Sequence, residues 1–243
     1  MNLVIDIGNT RTKTAVFDND KKILSCHATT DLEDSVRMLL KQYPDIDKAI
    51  FSNVRQSSAE LNFLAEELEC IEFTNETKLP VKNSYLTPET LGKDRLAAAV
   101  GASVLFPNQN SLIIDAGTCI TIDFLDEENC FQGGAILLGI CKKAEGLHTF
   151  TGKLPLISLN MEEKTVVTGK TTIESIASGV LNGTLFEVAG FIEYYKNLYK
   201  NLNIIISGGD ADYFAKNLNF EKFVSPNLVL IGLNKILNFN AKN

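Results

Sequence analysis

One phrase occurs twice in the chain, and it constrains the fold more than any other feature. Asp6-Ile7-Gly8-Asn9-Thr10-Arg11-Thr12 returns, 109 residues later, as Asp115-Ala116-Gly117-Thr118-Cys119-Ile120-Thr121. Asp6 aligns with Asp115, Gly8 with Gly117 and Thr12 with Thr121. Each copy follows a short apolar run (Leu3-Val4-Ile5; Leu112-Ile113-Ile114) and precedes another strand-like stretch (Thr14-Ala15-Val16-Phe17; Ile122-Asp123-Phe124-Leu125). A chain that repeats a strand–turn–strand unit at this spacing is expected to fold as two similar halves. Alone, Asp-x-Gly is ordinary turn chemistry. Two copies trailed by threonines carry more. Glycine lets backbone N–H groups approach an anion, hydroxyls add donors, and the carboxylate can hold a cation that accompanies phosphate. Two such hairpins facing each other would clamp a nucleotide's phosphates.

Composition narrows the setting. The chain has 243 residues and a net charge of −7, with no basic block, so a nucleic-acid surface is not expected. Five cysteines (Cys26, Cys70, Cys119, Cys130, Cys141) are scattered without a Cys-x-x-Cys pair. They read as reduced thiols rather than a disulfide framework or a zinc site, which places the chain in the cytoplasm. Asp6 interrupts the first apolar run, so no signal peptide is read. Apolar stretches such as 135–141 and 228–233 fall far below bilayer length, so no membrane partner is expected.

The spacing of apolar residues predicts strands at 3–7, 12–17 and 21–28, then a helix from a Thr30-x-x-Glu33 capping box to about 43. A strand at 48–54, a helix capped by Ser57-x-x-Glu60 with Leu61, Leu64, Ala65 and Leu68 inward, and a strand at 70–74 follow. A polar stretch, 75–91, leads to an alanine-rich helix at 92–106 that ends in Pro107-Asn108-Gln109-Asn110. That turn divides an N-terminal domain, 1–110, from a C-terminal one, 111–243. The second half repeats the meander at 111–115, 119–125 and 131–138. Helices are expected at 141–149 and 172–199, with Gly179, Gly183 and Gly190 interrupting the longer one, each costing ~1 kcal/mol against alanine. A strand at 203–207 opens into Gly208-Gly209-Asp210, then come a helix, a short strand near 223–224 and a closing helix from 227.

Three further motifs invite chemistry. Gly92-Lys93-Asp94-Arg95 opens the alanine-rich helix. Asp94 reads equally as a cap for free N–H groups or as an acceptor for a substrate hydroxyl proton, with Arg95 holding an anion. Gly208-Gly209 serves either as a positive-φ turn or as a flat platform for adenosine. In Gly169-Lys170-Thr171-Thr172, Thr172 is most simply an N-cap. His27 and His148 lack ligand spacing and read as structural. No Walker A sequence, Gly-x-Gly-x-x-Gly or Gly-x-Ser-x-Gly elbow is present.

The duplicated hairpins with a later Gly-Gly turn resemble the superfamily of acetate and sugar kinases, heat-shock ATPases and actin. Within it, Asp6-Ile7-Gly8-Asn9-Thr10, Gly92-Lys93-Asp94-Arg95 and the Asp115–Asp123 phrase together resemble type III pantothenate kinase, over nearly the whole chain. The resemblance implies an α/β fold of two ribonuclease H-like (actin-like ATPase) domains, each a mixed sheet flanked by helices. It also implies ATP-dependent phosphorylation of pantothenate, the first step toward coenzyme A.

Residue by residue, the resemblance makes Asp6, Ile7, Gly8, Asn9, Thr10, Arg11, Thr12 and Lys13 the first phosphate loop and Asp94 the proton acceptor. It puts Gly92, Lys93, Arg95 and Tyr85 in the pantothenate pocket. Asp115 becomes a monovalent-cation ligand (potassium or ammonium) beside ATP with Mg²⁺, Thr118 an ATP contact, and Gly208 and Gly209 the adenosine turn. Thr172, or Thr171 beside it, reaches substrate across a homodimer with a shared active site. The apolar stripe Ile173, Ile176, Ala177, Val180, Leu181, Leu185, Val188, Ala189 and Ile192 is the expected interface, with intrachain core as its alternative. Ile136-Leu137-Leu138-Gly139 stands where the family has Ile-x-Pro-Gly, which changes a loop and removes no reacting group. Two other readings stay open: another small-molecule kinase or phosphatase of the same fold, and a non-catalytic ATP-binding regulator.

Overall fold

A computed structural model describes residues 1–8, 12–18, 23–29, 31–53, 63–64 and 68–241, with 23–29 described for backbone alone. The expected helix at 57–68 therefore lies mostly outside the described residues, as do Thr30 and Asn9, Thr10 and Arg11. Contacts divide the chain into two compact units: Met1–Asn108 with Glu128–Gln132 and Asn227–Asn243, and Gln109–Glu127 with Gly133–Pro226. Two segments that follow the expected boundary, Glu128–Gln132 and Asn227–Asn243, thus pack in the first unit.

Strands β1 (Asn2–Ile7), β2 (Thr12–Phe17), β3 (Ile23–Thr29), β4 (Lys48–Asn53) and β5 (Glu69–Glu72) form the first sheet in the order β3-β2-β1-β4-β5. β1–β2 and β2–β3 are antiparallel, β1–β4 and β4–β5 parallel. In the second sheet, β7 (Asn110–Ala116), β8 (Cys119–Leu125), β9 (Cys130–Leu138), β10 (Leu202–Ser207) and β11 (Phe223–Val224) repeat that order as β11-β10-β7-β8-β9. The repeat read from the turns is a repeat of whole sheets. A two-residue strand, β6 (Lys82–Asn83), pairs in parallel with the start of β9, at Cys130 and Phe131, inside the first unit.

Alternation on β1 decides the layers of the first unit. Leu3, Ile5 and Ile7 share a core with Val36 and Leu39 of helix α1 (Leu32–Gln42). Asp31 caps α1 by accepting from the Asp34 N–H, one residue after the expected Thr30. On the opposite face, β1 and β4 are covered by α6 (Leu228–Asn240), which packs on α2 (Lys93–Leu105). The two helices meet at glycines. A Cβ on Gly232 would lie 1.7 Å from the Ala97 carbonyl oxygen, and one on Gly101 2.3 Å from that of Leu228. Buried Asn2 ties β1 to α6 by donating to Asn234 and Asn238, both at 2.8 Å.

In the second unit, α4 (Thr172–Leu198) packs Ile176, Val180, Leu181, Val188 and Ile192 into a core with Ile114, Ile122, Phe124 and Ile206. By length and composition α4 is apolar enough to cross a membrane. Its buried stripe instead packs as a core helix does, and most of the expected interface stripe is intrachain core. Ile173 and Phe186 stay exposed. Gly179, Gly183 and Gly190 do not break the helix, and a Cβ on any of them would meet nothing within 4 Å. α3 (Ile140–Thr149) and α5 (Ala211–Asn217) complete the unit.

Candidate active site

In the first unit, Asp94 stands in the first turn of α2, whose cap, Gly92, has no side chain to offer the open N–H groups. Asp94 supplies that function itself: its Oδ1 accepts from the Arg95 N–H at 2.9 Å. Among the described residues its Oδ2 makes no hydrogen bond, and the side chain is half-buried. One oxygen of the carboxylate therefore caps the helix, and the other is left over from capping. Gly92 makes room for this: a Cβ there would come within 2.5 Å of Asp94 Oδ1.

Arg95 is 5% exposed, and its guanidinium lies 5.6 Å from the ring centroid of Tyr85 and 5.9 Å from that of Phe131. A buried cation within 6 Å of two aromatic ring centroids gains cation–π attraction from both. Tyr85 and Arg95, expected in one pocket, are brought together. Phe131 joins them unannounced. The loop carrying Tyr85 is sewn to the Phe131 segment: Lys82 N donates to Asn129 O at 2.9 Å and Ser84 N to Phe131 O at 3.1 Å. The Ser84 hydroxyl reaches Phe131 O at 2.8 Å and Gln132 Oε1 at 3.0 Å.

Asp6 occupies the end of β1, paired with Lys13 across β2 and with Ser52 on β4. Thr12 is buried and Gly8 half-buried; Asn9, Thr10 and Arg11 lie outside the described residues. Ser52 is fully buried, and its hydroxyl has no partner among the described residues.

The second unit builds its turn from backbone. Ser207 and Asp115 are register partners where the parallel strands β10 and β7 end. Beyond them Gly208, at φ +92°, crosses so close that a Cβ would meet Ala116 O at 2.2 Å and Asp115 Oδ1 at 2.5 Å. Asp210 N donates to Ala116 O at 3.0 Å, and Gly117 N to Cys119 O at 2.9 Å. Gly139 closes the other side: its N–H donates to Thr118 O at 3.0 Å, and a Cβ would lie 2.0 Å from Gly117 O. Asp115, Thr118 and Gly208 are thus gathered at one strand end, with exposed Thr118 and Gly209 beside it. Leu138 precedes a Gly139 whose N–H is used in closing that turn.

The cap of α4 corrects one expectation. Thr171, not Thr172, is the N-cap: its hydroxyl accepts from Glu174 N at 3.2 Å, and Glu174 answers by accepting from Thr171 N at 3.1 Å. Thr172 is the first helical residue and exposed.

A family model for type III pantothenate kinase matches residues 2–194, most of the chain. The chain belongs to the type III pantothenate kinase family. A relative from Cytophaga hutchinsonii bearing that family's name is 42% identical over 243 residues, covering 99% of this chain and all of its own. Among solved structures, an activator of 2-hydroxyisocaproyl-CoA dehydratase from Clostridium difficile with bound ADPNP is similar at a TM-score of 0.55 and 16% identity, covering 100% of this chain and 98% of its own. A putative Baf family transcriptional activator from Campylobacter jejuni is similar at 0.63 and 20%, covering 98% of each. At such identities these two speak for the fold alone, an α/β fold of mixed sheets flanked by helices. Within the family frame, Phe131 and Ser84 are the residues that sequence reasoning missed. Ser84 lies in the stretch read as polar, 75–91, and Phe131 opens the strand read at 131–138, with nothing in the sequence to pair them.

Proposed function

We propose that the chain transfers the γ-phosphoryl group of ATP to the primary hydroxyl of pantothenate. Asp94 carries the reading: a half-buried carboxylate at a helix N-terminus, one oxygen tied to the Arg95 N–H and the other without a hydrogen bond among the described residues, beside a guanidinium close to two aromatic rings. The hydroxyl oxygen bonds to the γ-phosphorus as the bond to the bridging oxygen breaks. ADP leaves, and the hydroxyl proton passes to Asp94 Oδ2. Arg95 and Tyr85 hold pantothenate, with Gly92 and Lys93 bordering it. Asp6 to Lys13 and Thr118 contact the phosphates, and Gly208 with Gly209 receives adenosine.

No three His, Cys, Asp or Glu side chains among the described residues form a metal cluster. The family's use of ATP brings Mg²⁺, which one or two carboxylates and the substrate's own phosphates would hold, with Asp6 as the natural carboxylate. Bound there, Mg²⁺ neutralises phosphate charge. Asp115, whose carboxylate edge Gly208 leaves uncovered by any Cβ, would hold potassium or ammonium.

A coupled assay of ADP release tests the reaction: pantothenate should raise it many-fold, whereas a sugar or acetate should not. Release indifferent to pantothenate sinks the reading.

Thr172 is assigned to a substrate contact across a homodimer. Support comes from the occupied hydroxyl of Thr171, the open glycine edge of α4, and an apolar groove of about 730 Å³ along α3 and α4 lined by Leu138, Leu147, Phe150 and Gly179. Mixing Asp94→Asn with Thr172→Arg chains should restore part of the activity each lacks alone. Subunit exchange without recovery rules out a shared site.

A further inference from the structure

The functional reading gives Arg95 the anionic end of the substrate, and the first unit packs two aromatic rings against its guanidinium. Phe131 is fully buried, with its ring centroid 6.2 Å from that of Tyr85 and 5.9 Å from the Arg95 guanidinium. Its position does not come from the strand it opens alone. Ser84 places both its N–H and its hydroxyl on the Phe131 carbonyl, at 3.1 and 2.8 Å, and the same hydroxyl reaches Gln132 Oε1. Lys82 repeats the stitch on Asn129 and pairs with Glu128 at 3.6 Å. Tyr85 N is turned back onto Asn83 Oδ1 at 3.0 Å, which sets the ring beside that of Phe131.

A long arginine side chain has several rotamers to lose when it binds a ligand, and a cation already packed against two rings has lost some of them beforehand. We infer that Phe131 is a positioning residue for substrate recognition. Its ring, locked to Tyr85 by Ser84, fixes the plane of the Arg95 guanidinium so that its donors meet the carboxylate of the substrate. Phe131 touches no substrate atom in this scheme and acts only through Arg95. A lysine at 95, a point charge on a flexible stem, has no plane to align and gains little from the ring.

The inference rests on the functional reading, and wild-type enzyme separates the two. If wild type does not phosphorylate pantothenate, both fall before any variant is made. Given that activity, the test is a double-mutant cycle on the full chain. Pantothenate Kd is measured by titration calorimetry, and kcat and KM by the coupled assay. Phe131→Leu should raise pantothenate Kd by about tenfold, leaving kcat and the KM for ATP within about twofold. In an Arg95→Lys background the same change should cost less than about threefold. An unchanged Kd, or an equal loss in both backgrounds, overturns the assignment, because a merely structural ring would act alike with either cation. Should Phe131→Leu fail to fold, Ser84→Ala decides. It removes the hydroxyl stitch and leaves the core intact. It should weaken pantothenate about threefold with Arg95 and not with Lys at 95, and no effect with Arg95 overturns the proposal.

Discussion

On the proposed function, the pocket around Arg95 and the turn around Asp115 solve the same problem, presenting charge to a ligand, by opposite means. In the first unit side chains do the work: a carboxylate bends back to cap its own helix, and two rings seat a guanidinium. In the second unit the backbone does it, with Gly208 and Gly139 each approaching a carbonyl so closely that no Cβ fits. Recognition by side chains is lost when a functional group is removed. Recognition by backbone is lost when an atom is added. The two regions should therefore fail to different kinds of mutation and in different kinetic constants.

The largest contrast comes from Asp94→Asn. It keeps shape and cap, so unfolding should stay near wild type, while kcat falls by roughly 10²–10⁴-fold for want of a base. Near-normal turnover in a folded variant would falsify the role given to Asp94.

Gly208→Ala is the counterpart. Alanine at positive φ costs on the order of 1–3 kcal/mol, and its methyl group must also push Ala116 or Asp115 aside. The KM for ATP should rise by about tenfold or more while that for pantothenate barely moves. Equal damage to both constants would erase the distinction between the two regions. A smaller effect follows from Asp115: replacing potassium by sodium or tetramethylammonium should lower activity several-fold, and an Asp115→Asn enzyme should be indifferent to the exchange. Cation dependence that survives Asp115→Asn moves the cation elsewhere.

Gly183→Ala is the mildest test. Nothing lies within 4 Å of its Cβ position, so a lone chain should gain up to about 1 kcal/mol of helix stability. A loss of activity together with a shift toward monomer in sedimentation would instead place a second chain against that edge.

Much of this was legible beforehand because it was local. The two turns, their flanking strands and the helix at Asp94 announce themselves through apolar runs, glycines and an acidic first turn. Errors of one residue arose where two candidate caps stood side by side, Thr30 with Asp31 and Thr171 with Thr172, since either could reach an N–H and only the backbone chooses. The pairing of Ser84 with Phe131 was not legible. It joins the residue after a two-residue strand, too brief to show alternation, to the start of β9, 47 residues on. Nor does any pattern in α6 say that it belongs with β1: its glycine and asparagines acquire meaning only once Ala97 and Asn2 lie against them.

That last contact bears on how the molecule is made. A chain emerging from the ribosome presents β1 to β5 and α2 first, with one face of the sheet and the glycine seam of α2 uncovered until residues 227–240 are translated. The unit that begins first is therefore completed last, and the second unit, 109–127 with 133–226, has all its parts before the first can close. During that interval the glycine seam of α2 lacks the helix that packs on it. A stop codon shortly before residue 227 would leave the half that carries Asp94 unfinished.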